Sequence, residues 1–400
     1  MIPLLRAERS LQRMNKPEVP ENPLISGLKR LVADVSRAAD PACVGLSQTV
    51  CGVTELLGFP PHGVCYRDIP VATLTQRWQF EDVTSLLLHE ECSNPEKLAD
   101  WAASLRDASA ADLPAKELFS LIPPGSRPCE LLPLCISLIR LFDSDPITRS
   151  ADDNVHAVQR ILGLLPEMLE RALDGGGPRT GVLDELRMSY SARLLYALRS
   201  GEALPTPEEE WGMNALLICQ CLPRMRGACF VARVVSSSPA AAMHAAAAAY
   251  CAQLQNDPYQ WCSELLLRMQ SPEEAEQWWE SRSSRSMPFG FTSTVPDDRV
   301  QIIANACHRL LGSADRILAA GVSARIEKLL YAEHQLPTLD WVSARLMILL
   351  GIAPERQSLA IGIARLTGWA AQAVEQNKSG VSLVPALRYA GESDDVQESP

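Results

Sequence analysis

The stretch from Leu336 to Gln376 limits most sharply what this chain can become. A short turn, Leu336-Pro337-Thr338-Leu339-Asp340-Trp341, leads into an apolar run from Val342 to Leu350 that Gly351-Ile352-Ala353-Pro354 breaks. A second run, Ser358 to Gln376, is rich in Ala, Ile, Leu and Gly. Both predict helices, and each holds a charge in a poor place for one. Asp340 sits at a helix start, and Arg365 lies inside Ile361-Gly362-Ile363-Ala364-Arg365-Leu366-Thr367-Gly368-Trp369. An arginine so enclosed cannot easily reach water, and burying it unpaired costs several kcal/mol, so it should meet an anion. Asp before a helix is most often an N-cap, and a buried-helix Arg most often pairs with a structural carboxylate. From spacing alone that structural role is the default for both.

The chain has 400 residues, 47% of them hydrophobic, enough for a large core and for two domains. Its net charge of −11 comes without any Lys/Arg block, so nucleic acid is not an expected partner. The N-terminus carries charge at Arg6, Glu8 and Arg9 and has no apolar run of signal-peptide length. The longest uncharged window, Val234 to Asn256, is filled by Ala and interrupted by Ser, Pro, His and Gln, so no membrane span is expected. The 12 cysteines form no CxxC pair and are expected to be reduced core residues of a cytoplasmic protein.

Residues 1–40 are polar and Pro-containing, an extension outside the core. Gly45 to Pro70 is irregular and is where the only short strands are expected. Helical periodicity follows, through Leu74 to Phe80 and Val83 to His89, a helix opened by Asn94-Pro95-Glu96, and apolar helices over Glu130–Phe142 and Asn154–Leu173. Gly175-Gly176-Gly177 lacks a following GK[ST] and predicts a helix stop, not a phosphate cradle. Thr206-Pro207-Glu208-Glu209 and Ser271-Pro272-Glu273-Glu274 are capping-box openings, and Ala240 to Ala249 is a helix of small side chains. Ser281 to Asp298 reads as a loop, and Ser379 to Pro400 as a tail. The sum is an all-α fold. The 6 histidines form no HxxxH or HExxH, His89 and Cys92 have no partner ligands, and there is no GxSxG or GxGxxG. No metal site is expected.

Three places together carry a resemblance over about Gly45 to Gly391. They are Cys65-Tyr66-Arg67-Asp68-Ile69-Pro70 leading to Phe80-Glu81-Asp82-Val83 and Leu86-Leu87-Leu88-His89; Leu194 to Glu209 followed by Phe230-Val231-Ala232-Arg233-Val234-Val235; and Leu339-Asp340-Trp341-Val342-Ser343 with Leu350 to Pro354 and Ile363 to Ala371. In order and spacing the text resembles the citrate synthase family. That resemblance implies a helical homodimer whose large domain (41–222 and 331–392) is closed by a smaller one (223–330), with 393–400 as tail. It implies condensation of an acyl-CoA, as co-substrate without a bound cofactor, with a small 2-oxo carboxylic acid. A carboxylate takes the proton next to the thioester, one histidine stabilises the enolate, and a second polarises the carbonyl under attack. By the flanking residues the carboxylate falls on Asp340, and an arginine holding the substrate's carboxylate falls on Arg365.

The departures lie at the imidazoles. The family's LHGGAN falls on Pro258-Tyr259-Gln260-Trp261-Cys262-Ser263, so the enolate-stabilising histidine becomes Tyr259. GFGHR falls on Phe289-Gly290-Phe291-Thr292, so the second histidine becomes Phe291. A third, substrate-binding histidine near Gln220 to Pro223 has no counterpart. RPR becomes Val384-Pro385-Ala386, with Arg388 two residues on, and of the basic residues after GFGHR only Arg299 is matched nearby. The resemblance thus implies Asp340 as base, Tyr259 as enolate donor, Arg365, Phe291, Gln220 and Arg388 around the acid, and Arg299 at the CoA. Losing one preorganised oxyanion donor costs roughly 3–4 kcal/mol, so ordinary citrate formation is not expected. Tyr259 can donate, and Phe291 cannot. The leading expectation is a divergent acyltransferase. The alternatives are an inactive binding or scaffold subunit, in which Tyr259 and Trp261 merely fill space, and a CoA-ester lyase or thioesterase. An Asp340 closed onto Arg365 with no room for a guest would leave only the architecture.

Overall fold

Cap chemistry and proline set several of the helix starts among the described residues. Thr206 Oγ1 accepts from the Glu209 N–H at 3.3 Å while Glu209 Oε2 accepts from the Thr206 N–H at 3.0 Å, a reciprocal box that opens the helix Pro207–Gln220. Ser271 likewise accepts from the Glu274 N–H, but Glu274 answers the N–H of Gln270, one residue earlier, and the helix Pro272–Glu280 follows. The computed structural model describes residues 50, 52–61, 63–89, 100–101, 103–105, 122–123, 126–141, 151–173, 188–224, 227–238, 242–254, 258–281, 290–292, 297–312 and 314–384. The expected extension, the helix start at Asn94, the triple glycine, Glu90 to Cys92 and the tail beyond Val384 lie outside them.

In chain order the elements are strands β1 (Leu57–Gly58), β2 (Cys65–Tyr66) and β3 (Ile69–Pro70), then helices α1 (Val71–Arg77), α2 (Phe80–Leu88), α3 (Pro128–Leu141), α4 (Ala151–Leu173), α5 (Tyr190–Leu198), α6 (Pro207–Gln220), α7 (Ala228–Ser236), α8 (Ala242–Leu254), α9 (Pro258–Arg268) and α10 (Pro272–Glu280). Strand β4 (Phe291–Thr292), helices α11 (Arg299–Arg309) and α12 (Ala314–Tyr331), strand β5 (Leu336–Pro337) and helices α13 (Leu339–Leu349) and α14 (Pro354–Ser379) complete it. The fold is all-α. Thr54–Val384 form one compact unit. No single described helix is long and apolar enough to cross a membrane.

Helix α14 is the spine of that unit, packed against α2, α3, α4, α6, α7, α8 and α9. Small residues let the neighbours come close. A Cβ on Gly368 would lie 2.1 Å from the carbonyl oxygen of Cys221, just past α6, and one on Gly362 would lie 2.3 Å from the Tyr250 ring of α8. These approaches bring Arg365, between the two glycines, against residues of α6 and α8. The helix ends on Gly380 in the left-handed conformation.

Three expectations are corrected. Strands are not confined to Gly45–Pro70: β1-β2-β3 is there, but β4 pairs antiparallel with β5, Phe291 opposite Pro337 and Thr292 opposite Leu336. Two-residue strands are too short to leave an alternating pattern. The first helix of the key stretch starts at Leu339, not Val342; the second starts at Pro354, not Ser358, because Pro fits its first turn. Asp340 is therefore not the N-cap. Thr338 holds that position without a side-chain cap bond, and Asp340 stands inside the first turn.

Candidate functional site

Four helices deliver the side chains that meet around Arg365. Tyr259 is in the first turn of α9 and Asp340 in the first turn of α13, where the helix dipole favours a carboxylate. Gln220 ends α6, and Gln253 stands one residue before the end of α8. Arg365 is midway along α14.

The Arg365 guanidinium is held mainly by neutral oxygens. Its Nε and Nη2 donate to Gln220 Oε1 at 3.2 and 2.6 Å, and its Nη1 donates to Gln253 Oε1 at 2.7 Å. Nη2 also donates to the Tyr259 hydroxyl at 2.7 Å, while Asp340 Oδ1 is 3.5 Å away. Because Arg365 only donates, the phenolic oxygen accepts there, and its single proton goes to Asp340 Oδ1 at 2.5 Å. Tyr259 thus bridges acid and base. The ring itself is fully buried, and the guanidinium carbon lies 5.8 Å from its centroid.

Asp340 is not closed onto the arginine. Both of its bonds fall on Oδ1, Oδ2 has no hydrogen-bond partner among the described residues, and the side chain is 37% exposed. A carboxylate held by one oxygen and open at the other is competent to take a proton. Gln220 carries the network further, its Nε2 donating to Ser343 Oγ at 2.9 Å, one turn along α13 from Asp340.

Phe291 reaches the same region through the β4–β5 pair. Its ring is buried against Trp341, centroids 4.7 Å apart, next in sequence to Asp340. Gly290 holds φ +86°, a Cβ there would press on Trp341 and on Cys262, and its carbonyl accepts from the Thr338 N–H at 2.8 Å. The strand pair therefore pins the start of α13. From the other side Trp341 Nε1 donates to Glu327 at 2.7 Å, as does Arg345 at 2.8 Å.

Two further expectations have different outcomes. Arg388 lies outside the described residues. Arg299 does not offer a charge to CoA: it is 1% exposed and its donors are engaged within the fold. Its Nε and Nη2 donate to Asp297 at 2.8 and 2.6 Å, and its Nη1 to Tyr66 Oη, Cys219 O and Leu222 O at 3.2, 3.0 and 2.9 Å. Burial would push the Asp297 carboxyl up, but the bonds and charge of Arg299 outweigh it and hold the group below its ordinary value. This corrects the assignment of Arg299: it ties the β2 strand and the loop after α6 together. Gln253 was not foreseen, although it falls on the same buried face of α8 as Met243, Ala246 and Tyr250, where a long polar side chain is out of place.

Comparison with known proteins gives one family. A profile described as citrate synthase, C-terminal domain, matches residues 45–385. The citrate synthase of Mycolicibacterium smegmatis is 23% identical over 358 residues, 87% of this chain and 95% of that one. A 2-methylcitrate synthase of Corynebacterium glutamicum is 22% identical over 360 residues, 87% of this chain and 94% of that one. Among solved structures, the citrate synthase of Thermoplasma acidophilum, in ternary complex with carboxymethyl coenzyme A and oxaloacetate, superposes with a TM-score of 0.75 at 16% identity, covering 89% of this chain and 98% of that one.

Proposed function

The chain belongs to the citrate synthase family, and from that premise we propose that it joins an acyl-CoA to the carbonyl carbon of a small acid other than oxaloacetate. One observation carries this reading: Tyr259 and Arg365 hold one oxygen of Asp340 while the other stays unclaimed by any described residue. In the proposed reaction Asp340 Oδ2 takes the proton from the carbon next to the thioester, and the electron pair moves onto the thioester oxygen. Protonation neutralises the carboxylate and weakens Oδ1 as an acceptor. That releases the Tyr259 O–H, sharpened as a donor by the Arg365 contact at its oxygen, to turn to the enolate. The enolate carbon then attacks the acceptor's carbonyl carbon, and the C=O electron pair moves onto that oxygen. The oxygen takes the proton held by Asp340 Oδ2 to become a hydroxyl, leaving the thioester intact; the acceptor's carboxylate exchanges for glutamine contacts on Arg365. Phe291 on Trp341 offers that acceptor an apolar ring, which favours a less charged molecule. In this reading residues 223–330, which carry Gln253 and Tyr259, close against Asp340 and Arg365, and two chains pair.

A second reading, a binding or scaffold subunit without catalysis, is favoured by a different observation: every guanidinium nitrogen of Arg365 already has an acceptor from the protein. Incubation of the purified protein with acyl-CoAs in heavy water separates the two. Deuterium entering the acyl group in wild type, and its loss in Asp340→Asn, is the expected result. No exchange with any acyl-CoA, with or without 2-oxo acids, leaves the scaffold.

A further inference from the structure

Two glutamines flank the Arg365 guanidinium, and they are not in the same state. Gln220 uses both ends of its amide, Oε1 on Arg365 and Nε2 on Ser343. Gln253 is 9% exposed and uses one: Oε1 accepts from Arg365 Nη1 at 2.7 Å, and Nε2 has no hydrogen-bond partner among the described residues. The amide's orientation follows from chemistry, since turning it over would set its NH2 against a group that only donates. Native interiors rarely keep a buried NH2 without an acceptor, and such a group is a reason to look for a ligand.

We infer that Gln253 Nε2 is the donor that receives an oxygen of the acceptor acid beside Arg365, and that the acid carries one carboxylate. The inference rests on reading this cluster as the site of the proposed condensation. Charge sets the class of molecule. The described cluster holds one cation, Arg365, and one anion, Asp340; Gln220, Gln253, Tyr259 and Ser343 are neutral. One carboxylate of a guest finds the guanidinium and its keto oxygen finds the Gln253 amide. A second carboxylate would be desolvated beside Asp340 without a described cation to meet it. The fitting class is therefore a 2-oxo monocarboxylic acid.

Calorimetric titration of the purified protein with pyruvate and with oxaloacetate tests this. Pyruvate is expected to bind at least about tenfold more tightly than oxaloacetate, and Gln253→Met to weaken pyruvate about tenfold, the loss of one hydrogen bond at a charged site. Gln253→Glu is expected to abolish binding, because its carboxylate takes Arg365 and repels the guest. Binding of neither acid, a preference for oxaloacetate, or pyruvate binding unchanged in Gln253→Met overturns the inference. The wild-type preference needs no variant, so misfolding of either substitution leaves the test intact. Pyruvate binding with the stated preference but no deuterium exchange into any acyl-CoA keeps Gln253 as a ligand donor and removes the condensation. Exchange without the preference does the reverse.

Discussion

The fold contains two clusters built from the same three residue types, arginine, aspartate and tyrosine. In Arg299–Asp297–Tyr66 the ion pair is two-pronged, at 2.8 and 2.6 Å, and the guanidinium's remaining donors go to a hydroxyl and two carbonyls. In Arg365–Asp340–Tyr259 the ion pair stretches to 3.5 Å, tyrosine stands between the charges, and neutral glutamines occupy the cation. The first cluster is closed. The second keeps a carboxylate oxygen and an amide NH2 without described partners. Identical ingredients make a structural knot when every valence is filled from within, and a candidate site when some are left over.

Removing the cation from each cluster should give the largest difference. Arg299→Met removes both side-chain bonds to the Asp297 carboxylate, leaving it the backbone N–H of residue 299 and Arg224 at 3.7 Å, takes the donor from the Leu222 carbonyl, and should cost about 3–5 kcal/mol. Arg365→Met leaves neutral amide oxygens and an acid that already reaches water, and should cost about 1–2 kcal/mol. Urea unfolding of both variants at a common m-value measures this. A costlier Arg365→Met would break the comparison, because it would make the second cluster a structural knot as well.

Acid should sharpen the contrast by a smaller amount. The Asp297 carboxyl is held below its ordinary value of 3.8 in the fold. A depressed folded-state value gives stability that is present above the unfolded value and lost as pH falls through the folded one. The unfolding free-energy difference between wild type and Asp297→Asn should therefore be full near neutral pH and begin to shrink as pH drops toward about 4. Urea titrations at stepped pH values follow it. A difference that stayed constant down to pH 3 would mean that Arg299 does not hold this carboxyl.

How far the two clusters could be read in the sequence follows from how local their signals are. Asp340 and Arg365 announce themselves because a charge in an apolar helical run is conspicuous, and the capping box at Thr206 is written in four adjacent residues. Tyr259 and Phe291 came from flanking residues that resemble a family, not from their own chemistry. Arg299 misleads: the resemblance offers it as the one basic residue matched nearby after GFGHR, but its burial depends on Tyr66 and on carbonyls near residue 220, contacts that no local pattern encodes. Gln253 was hidden by its company, an uncharged residue in an alanine helix whose importance comes from an arginine 112 positions later.

The smallest expected effect on stability is the most informative for function. Tyr66→Phe and Tyr259→Phe each remove one hydroxyl from a fully buried ring. The Tyr66 hydroxyl accepts from Arg299 and donates to the carbonyls of Ile218 or Cys219, at 3.0 and 3.2 Å; that of Tyr259 accepts from Arg365 and donates to Asp340. Each loss should cost about 1 kcal/mol, since the net value of one hydrogen bond is about that whichever cluster holds it. The chemistry should separate them. Deuterium exchange into the acyl-CoA should be unmoved by Tyr66→Phe and should fall about 100-fold in Tyr259→Phe, the scale of one lost oxyanion donor. Because the two substitutions are matched in size, burial and stability cost, a common drop in exchange would trace to general loosening of the fold. A drop confined to Tyr259→Phe would tie the reaction to the hydroxyl that bridges Asp340 and Arg365. Exchange that survives in both would assign Tyr259 to filling space and leave Asp340 to work without it.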